Sequence, residues 1–314
     1  MGLPGRELLL DAVKGTVLTL ALFLAYITFP VLGLLPGIFT SLPGFYYYLK
    51  RGATTGAVVV VLTGIVLLLL GDPKVPILYL LQSGLIALLL PFFYMQGRGT
   101  ARAIAYAVGF NFLLIVVLAI SYGSWSGVDL QGLIVKGIET STTQAIAVYE
   151  KQGIKAEDIK QFTEGMQQAG RFIGQVFPAL ILIALGSFAG LNMMTIFRLS
   201  GRLLPDLPKP EDFRSFRNPE MLVWVVIAAG FSMFLPYPEV TRVALNLLLV
   251  TSFIYFLQGL AVVLAFFQRI AVPAFARFFF WLVLAVQPYL VLAIAILGIF
   301  DTWGDFRIPK NKNL

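Results

Sequence analysis

An all-α, polytopic transmembrane helical bundle is the fold class this sequence predicts, and three observations predict it. No charged residue lies between Lys14 and Lys50, and further uncharged apolar runs occupy 52–71, 75–97, 103–128, 172–197, 221–238, 243–268 and 278–300. Each is near or above the roughly 18–20 residues with which a helix crosses a ~30 Å hydrocarbon core. The chain is 59% hydrophobic and 12% charged, with mean hydropathy +0.87, too apolar for water to solvate its surface. Finally, the runs are apolar all round rather than alternating, so backbone groups facing lipid must be paired within helices and not across barrel strands.

The elements follow in order. A first helix runs from about 15 to 29 and stops at Pro30 and Pro36-Gly37, because proline removes a donor and clashes with the preceding turn. The next segment, about 38–49, is too short to cross comfortably and reads as a re-entrant or thin-bilayer span. It ends in Tyr46-Tyr47-Tyr48-Leu49-Lys50-Arg51, an aromatic belt and a basic stop. Further spans fall at about 53–71, 76–95, 103–121, 176–198, 220–236, 242–268 and 278–299, with Gly71-Asp72-Pro73-Lys74 as a tight turn. The total is about eight to nine hydrophobic segments. They divide into N-terminal transmembrane helices (1–122), an extramembrane amphipathic helical insert (123–175) and C-terminal transmembrane helices (176–314).

Within the insert, Leu130, Leu133, Ile134 and Ile138 have helical spacing, Gly153 marks a break, and Ala156-Glu157-Asp158 starts a second helix with acids at its positive end. That helix continues into the next span, with a kink expected at Pro178. Two readings stand: a pair of helices lying on the bundle, or a lid over an externally open cavity.

Charge sets orientation. Lys50/Arg51, Arg98/Arg102, the group Arg198, Arg202, Lys209, Arg214 and Arg217, and Arg269/Arg277 occupy every second gap, which places those gaps and the N-terminus on the cytoplasmic side of the inner membrane. The same count puts the tail outside, against the rule, because it contains Arg307, Lys310 and Lys312.

Composition also excludes. There is no cysteine and no histidine, which removes thiol chemistry, Fe–S clusters and the commonest metal ligand, so no metal and no cofactor are expected. The net charge of +7 sits in the short gaps rather than on a basic–aromatic platform, so nucleic acid is not an expected partner; the lipid bilayer is. No P-loop, H-E-x-x-H or G-x-S-x-G motif occurs, and the chain reads as a non-enzyme. No ionisable residue is expected deep inside a span, which weighs against proton coupling.

What the spans do hold is neutral polarity. Gln82, Asn111, Asn192 and Gln258 are the candidate substrate-binding residues, each in apolar context where an amide demands a partner. Bonding between helices is the plain alternative for each, as it is for Asn246 and Gln287. Small residues four apart, Ala21/Ala25, Gly170/Gly174 and Gly186/Gly190, allow close helix approach.

Several stretches resemble the YybS-like family of bacterial membrane proteins. They are Leu34-Leu35-Pro36-Gly37 with Leu42-Pro43-Gly44 and Lys50-Arg51-Gly52; Pro178 to Asn192 leading to Arg198; Phe213-Arg214-Ser215-Phe216-Arg217-Asn218-Pro219 before Trp224; Leu257-Gln258-Gly259-Leu260-Ala261; and Gly298 to Arg307. That family looks distantly similar to the S components of energy-coupling-factor transporters. The likeness implies an S-component-like N-terminal part that binds a small molecule from outside and docks on a membrane coupling protein driven by ATPases. It also implies docking through Ala-x-x-x-Ala, which Ala21 and Ala25 match. The chain departs from that pattern in its length, in the insert, and in lacking a signature for thiamine, biotin, riboflavin or folate. The resulting expectation is a binding or carrier subunit for a small, largely neutral solute, energised by a partner. The other reading is a non-transporting structural or assembly protein.

Overall fold

The computed structural model describes residues 4–29, 32–127, 129–151, 155–204, 207–208, 210–304 and 306–307. Among them the secondary structure is helical, with no strand. Five helices are long and apolar enough to cross a membrane, or six if one sharply bent pair counts as a span, and two shorter apolar helices accompany them. This is fewer than the eight to nine segments read from hydropathy, because three of those form shorter helices and the last is the bent pair. Large apolar side chains such as Leu69, Phe234 and Tyr289 face outward, the arrangement expected of a lipid-solvated surface. The chain forms two compact units, residues 1–118 with 184–211, and 119–183 with 212–314. The three-part sequence division does not follow these boundaries, two of which fall inside helices α7 and α9.

In the first unit, α1 (Pro4–Thr28) is followed by α2 (Leu34–Ile38), α3 (Leu42–Arg51) and α4 (Ala53–Leu69). Then come α5 (Lys74–Tyr79), a π-helical turn (Leu80–Gly84), α6 (Leu85–Met95) and the start of α7 (Thr100–Ser126). The segment around 38–49 runs back along α1. Gly37 packs on Tyr26, Gly15 packs on Tyr47, and Lys50 and Arg51 reach Asp11 and Glu7 near the start of α1. The N-terminus and the Lys50–Arg51 gap therefore share one end of the unit. Phe23, Val60, Leu67, Tyr79 and Ala87 form the core between these helices.

The second unit contains α8 (Leu130–Lys151), the first part of α9 (Ala156–Leu203) and α10 (Leu222–Ser232). It continues through α11 (Pro238–Arg269), α12 (Ala274–Val286) and α13 (Pro288–Gly304). Helix α8 packs on early α9, where Ile138 sits against Gly170. Helix α9 runs unbroken for 48 residues, about 72 Å at the usual helical rise and more than twice a hydrocarbon core.

The expected disturbance at Pro178 has a defined form. The Asn246 amide inserts into the ladder, accepting from the Ala179 N–H (2.9 Å) and donating to the Gln175 carbonyl (2.8 Å). These two backbone groups would bond to each other in a regular helix.

Helices α11 and α13 make the closest approach. A Cβ on Gly259 would lie 1.9 Å from the Ile294 carbonyl, and one on Gly298 would lie 2.0 Å from the Tyr255 carbonyl. Only glycine allows backbones this near. The last hydrophobic run is not a straight span. It bends by 107° between α12 and α13, at Gln287, whose extended backbone is what a residue before proline prefers.

Candidate functional site

The four candidate amides divide between the units. In the first unit, Asn111 is fully buried and donates from Nδ2 to the Leu81 carbonyl (2.9 Å), within the π-helical turn. Widening a turn displaces carbonyls from their regular donors, and such turns recur at functional sites. Gln82, half-buried, is the next residue on that turn and makes no side-chain hydrogen bond among the described residues. The structure thus ties Asn111 to the backbone of the turn that carries Gln82. Asn192, also fully buried, donates from Nδ2 to the Ile38 and Phe188 carbonyls, both at 2.7 Å. The first of these ties α9 to the open C-terminal end of α2.

Both asparagines keep an unused acceptor. Asn111 Oδ1 and Asn192 Oδ1 are buried with no partner among the described residues, and the same holds for the hydroxyls of Thr16, Thr40 and Thr55. A buried acceptor without a donor is costly; in the second unit the Tyr255 and Thr302 hydroxyls and Asp301 Oδ1 are likewise without a partner among the described residues. Of the docking pair, Ala21 is exposed, whereas Ala25 is half-buried and its carbonyl packs under Gly33.

Gln258 lies in the second unit and serves a charge. Its Nε2 donates to Asp301 Oδ2 (3.0 Å), which also takes Arg307 Nη2 (2.7 Å). Gln258 Oε1 accepts from the Asn218 N–H (3.0 Å), and Arg307 Nη1 donates to the Arg214 carbonyl (2.8 Å). Asp301 is 0% exposed and lies inside the apolar helix α13. It sits in the last turn of α13, beyond the 278–299 run, so it does not lie deep inside a span as read from the sequence. Asp301 follows directly on an apolar run and reads in the sequence as its flank, but the helix carries it on into the packed interior. Asp11, in the N-terminal part of α1 ahead of the uncharged run, is also largely buried, beneath Lys50 and Arg51.

A cavity of about 500 Å³ opens beside the Asp301 network, lined by Asp212, Arg214, Arg217, Gln268, Arg269 and Arg307 among others. The Arg214 guanidinium holds the Asp212 carboxyl below the usual aspartate range. The tail expectation changes here too. Arg307 shares this cavity with Arg214, Arg217 and Arg269, so it belongs with the basic gaps rather than opposite them. The last run, taken as one crossing in the count that put the tail outside, is a helix pair bent by 107°.

These features define a multi-pass α-helical membrane protein with polar groups buried inside both of its units. Residues 17–302 match the family described as "predicted membrane protein (DUF2232)", and the chain belongs to that family. Over 201 residues it is 24% identical to the "uncharacterized protein YybS" of Bacillus subtilis (strain 168), a match covering 62% of this chain and 65% of that protein. No solved structure matches the chain.

Proposed function

We propose that this protein is a non-catalytic binding subunit, a carrier for a small, largely neutral solute bearing N–H or O–H donors. The observation behind this reading is the pair of buried acceptors without donors among the described residues, Asn111 Oδ1 and Asn192 Oδ1; Gln82, on the turn that Asn111 bonds, is the third residue of the reading. Each lacks what a solute amide or hydroxyl would supply. Uphill transport needs an energy source, and the sequence carries no nucleotide-hydrolysing motif. Hence the reading includes a partner, docked against the α1 face that bears Ala21 and Ala25, as the S-component likeness implies. The basic gaps favour the cytoplasmic membrane, with the N-terminus inside.

Mass spectrometry of gently extracted protein tests this. A small molecule should co-purify with the native chain, and Gln82→Leu should lose it while leaving the fold intact. Asn111→Leu should lose it as well, along with some stability, because the Leu81 carbonyl is then left open. Protein that is empty in every membrane extract, with Gln82→Leu indistinguishable from native, would discard the reading.

One observation favours a second reading. The amide N–H groups of Asn111, Asn192 and Asn246 are all bonded to backbone, as in a protein whose polar groups serve packing alone. Stable capture of a large membrane complex without ligand would favour that assembly role.

A further inference from the structure

The arginine cavity of the second unit is not used by the solute reading and carries an inference independent of it. We propose that this cavity binds a phosphate group. Four guanidiniums line it, and the one carboxylate among the lining residues, Asp212, is already bonded to Arg214 through Nε at 2.9 and 2.8 Å. Arg214 Nη1 also donates to Gln268 Oε1, which fixes the plane of the fork.

Arg307 is held differently. Its side chain is 9% exposed and braced from behind by Asp301. Its Nε is a buried donor with no partner among the described residues. Arg269 completes the wall and makes no hydrogen bond or ion pair among the described residues. Two arginines pinned by carboxylates and a third without a described partner form a preorganised set of planar, multi-donor cations. Tetrahedral phosphate oxygens suit such a set best, since each can accept from more than one guanidinium.

Two sources offer that chemistry. The charge pattern places this end at the cytoplasmic leaflet, where the headgroups of anionic phospholipids lie. Soluble phosphate esters reach the same side from the aqueous phase. A cavity of about 500 Å³ admits either a headgroup or a small phosphorylated molecule.

The test uses the full chain in nanodiscs and in a neutral detergent. In the lipid arm, native mass spectrometry compares retention of phosphatidylglycerol with that of phosphatidylcholine. In the soluble arm, thermal unfolding is followed with added inorganic phosphate or pyrophosphate. Arg269→Gln and Arg217→Gln, singly and together, remove lining charge without touching the Asp301–Arg307 pair. The double variant should weaken binding by about thirtyfold, and Arg269→Gln alone should weaken it while unfolding without ligand like the native chain. Preferential retention of phosphatidylglycerol, lost in the double variant, supports a lipid headgroup. Stabilisation by phosphate or pyrophosphate, lost in the double variant, supports a soluble ester. No preference in either arm, or binding unchanged in the double variant, overturns the proposal.

Discussion

In the first unit, Asn111 and Asn192 give their N–H groups to backbone carbonyls and leave their own oxygens empty. In the second, Gln258 gives its N–H to a buried carboxylate and takes a backbone N–H on its oxygen, so both ends are in use. The residue type is nearly the same and the surroundings are similarly apolar. The difference is a neighbouring charge. Asp301 and Arg307 pair with each other and engage the Gln258 N–H and the Arg214 carbonyl, while Asp301 Oδ1 and Arg307 Nε have no partner among the described residues. A neutral carbonyl needs a single donor, so the asparagine that supplies it has an acceptor left over. The second unit is thus built to hold a fixed charge, and the first retains acceptors that a neutral ligand could satisfy.

The sharpest way to break this comparison is to remove the charge from one side only. Asp301→Leu leaves the Arg307 guanidinium buried without its partner and should cost about 3–5 kcal/mol, read as a large drop in the detergent unfolding midpoint. Asp301→Leu with Arg307→Met should recover most of that loss, since an apolar pair can replace a buried ion pair. Failure of the double change to recover would mean that the network does more than neutralise itself.

Gly298→Ala comes next. Its methyl would meet the Tyr255 carbonyl at 2.0 Å, so α11 and α13 must separate, at roughly 1–3 kcal/mol. A neutral result in thermal unfolding would contradict the close approach. Asn192→Leu should cost about 1–3 kcal/mol, because the Ile38 carbonyl is left buried and unbonded. Glu7→Gln should have the smallest effect, under about 1 kcal/mol, because Glu7 is 61% exposed where it meets Arg51. Finding Glu7 more costly than Asn192 would reverse the ranking of buried amide over surface charge.

Much of the bundle was legible in the sequence because hydrophobic length and charge gaps act locally. The turn at Asp72 is one case, where the carboxylate accepts from the Lys74 N–H at 2.9 Å. The acids Glu157 and Asp158 in the first turn of α9 are another. The candidate amides could also be found, since a polar side chain in an apolar run stands out by itself. What ties each one across the fold could not, because those partners lie far along the chain. Asn192 reaches back to Ile38, and Gln258 reaches forward to Asp301. The Gly259–Gly298 crossing pairs one glycine from each of two helices, so a search for small residues four apart on one helix passes it over. Pro288 did mark the break between α12 and α13. A proline inside an apolar run can either kink or end a span, and here the two helices it separates are bent by 107°.

The chain contains no cysteine, so single introduced thiols report on topology without background. Arg217→Cys, Arg269→Cys and Phe306→Cys in intact cells, probed with a membrane-impermeant maleimide, test the membrane account most directly. All three should stay unlabelled until the cells are permeabilised, while Leu113→Cys, on the apolar α7, stays unlabelled throughout. Labelling at 306 from the side opposite to 269, or ready labelling at 113 in intact membranes, would contradict it.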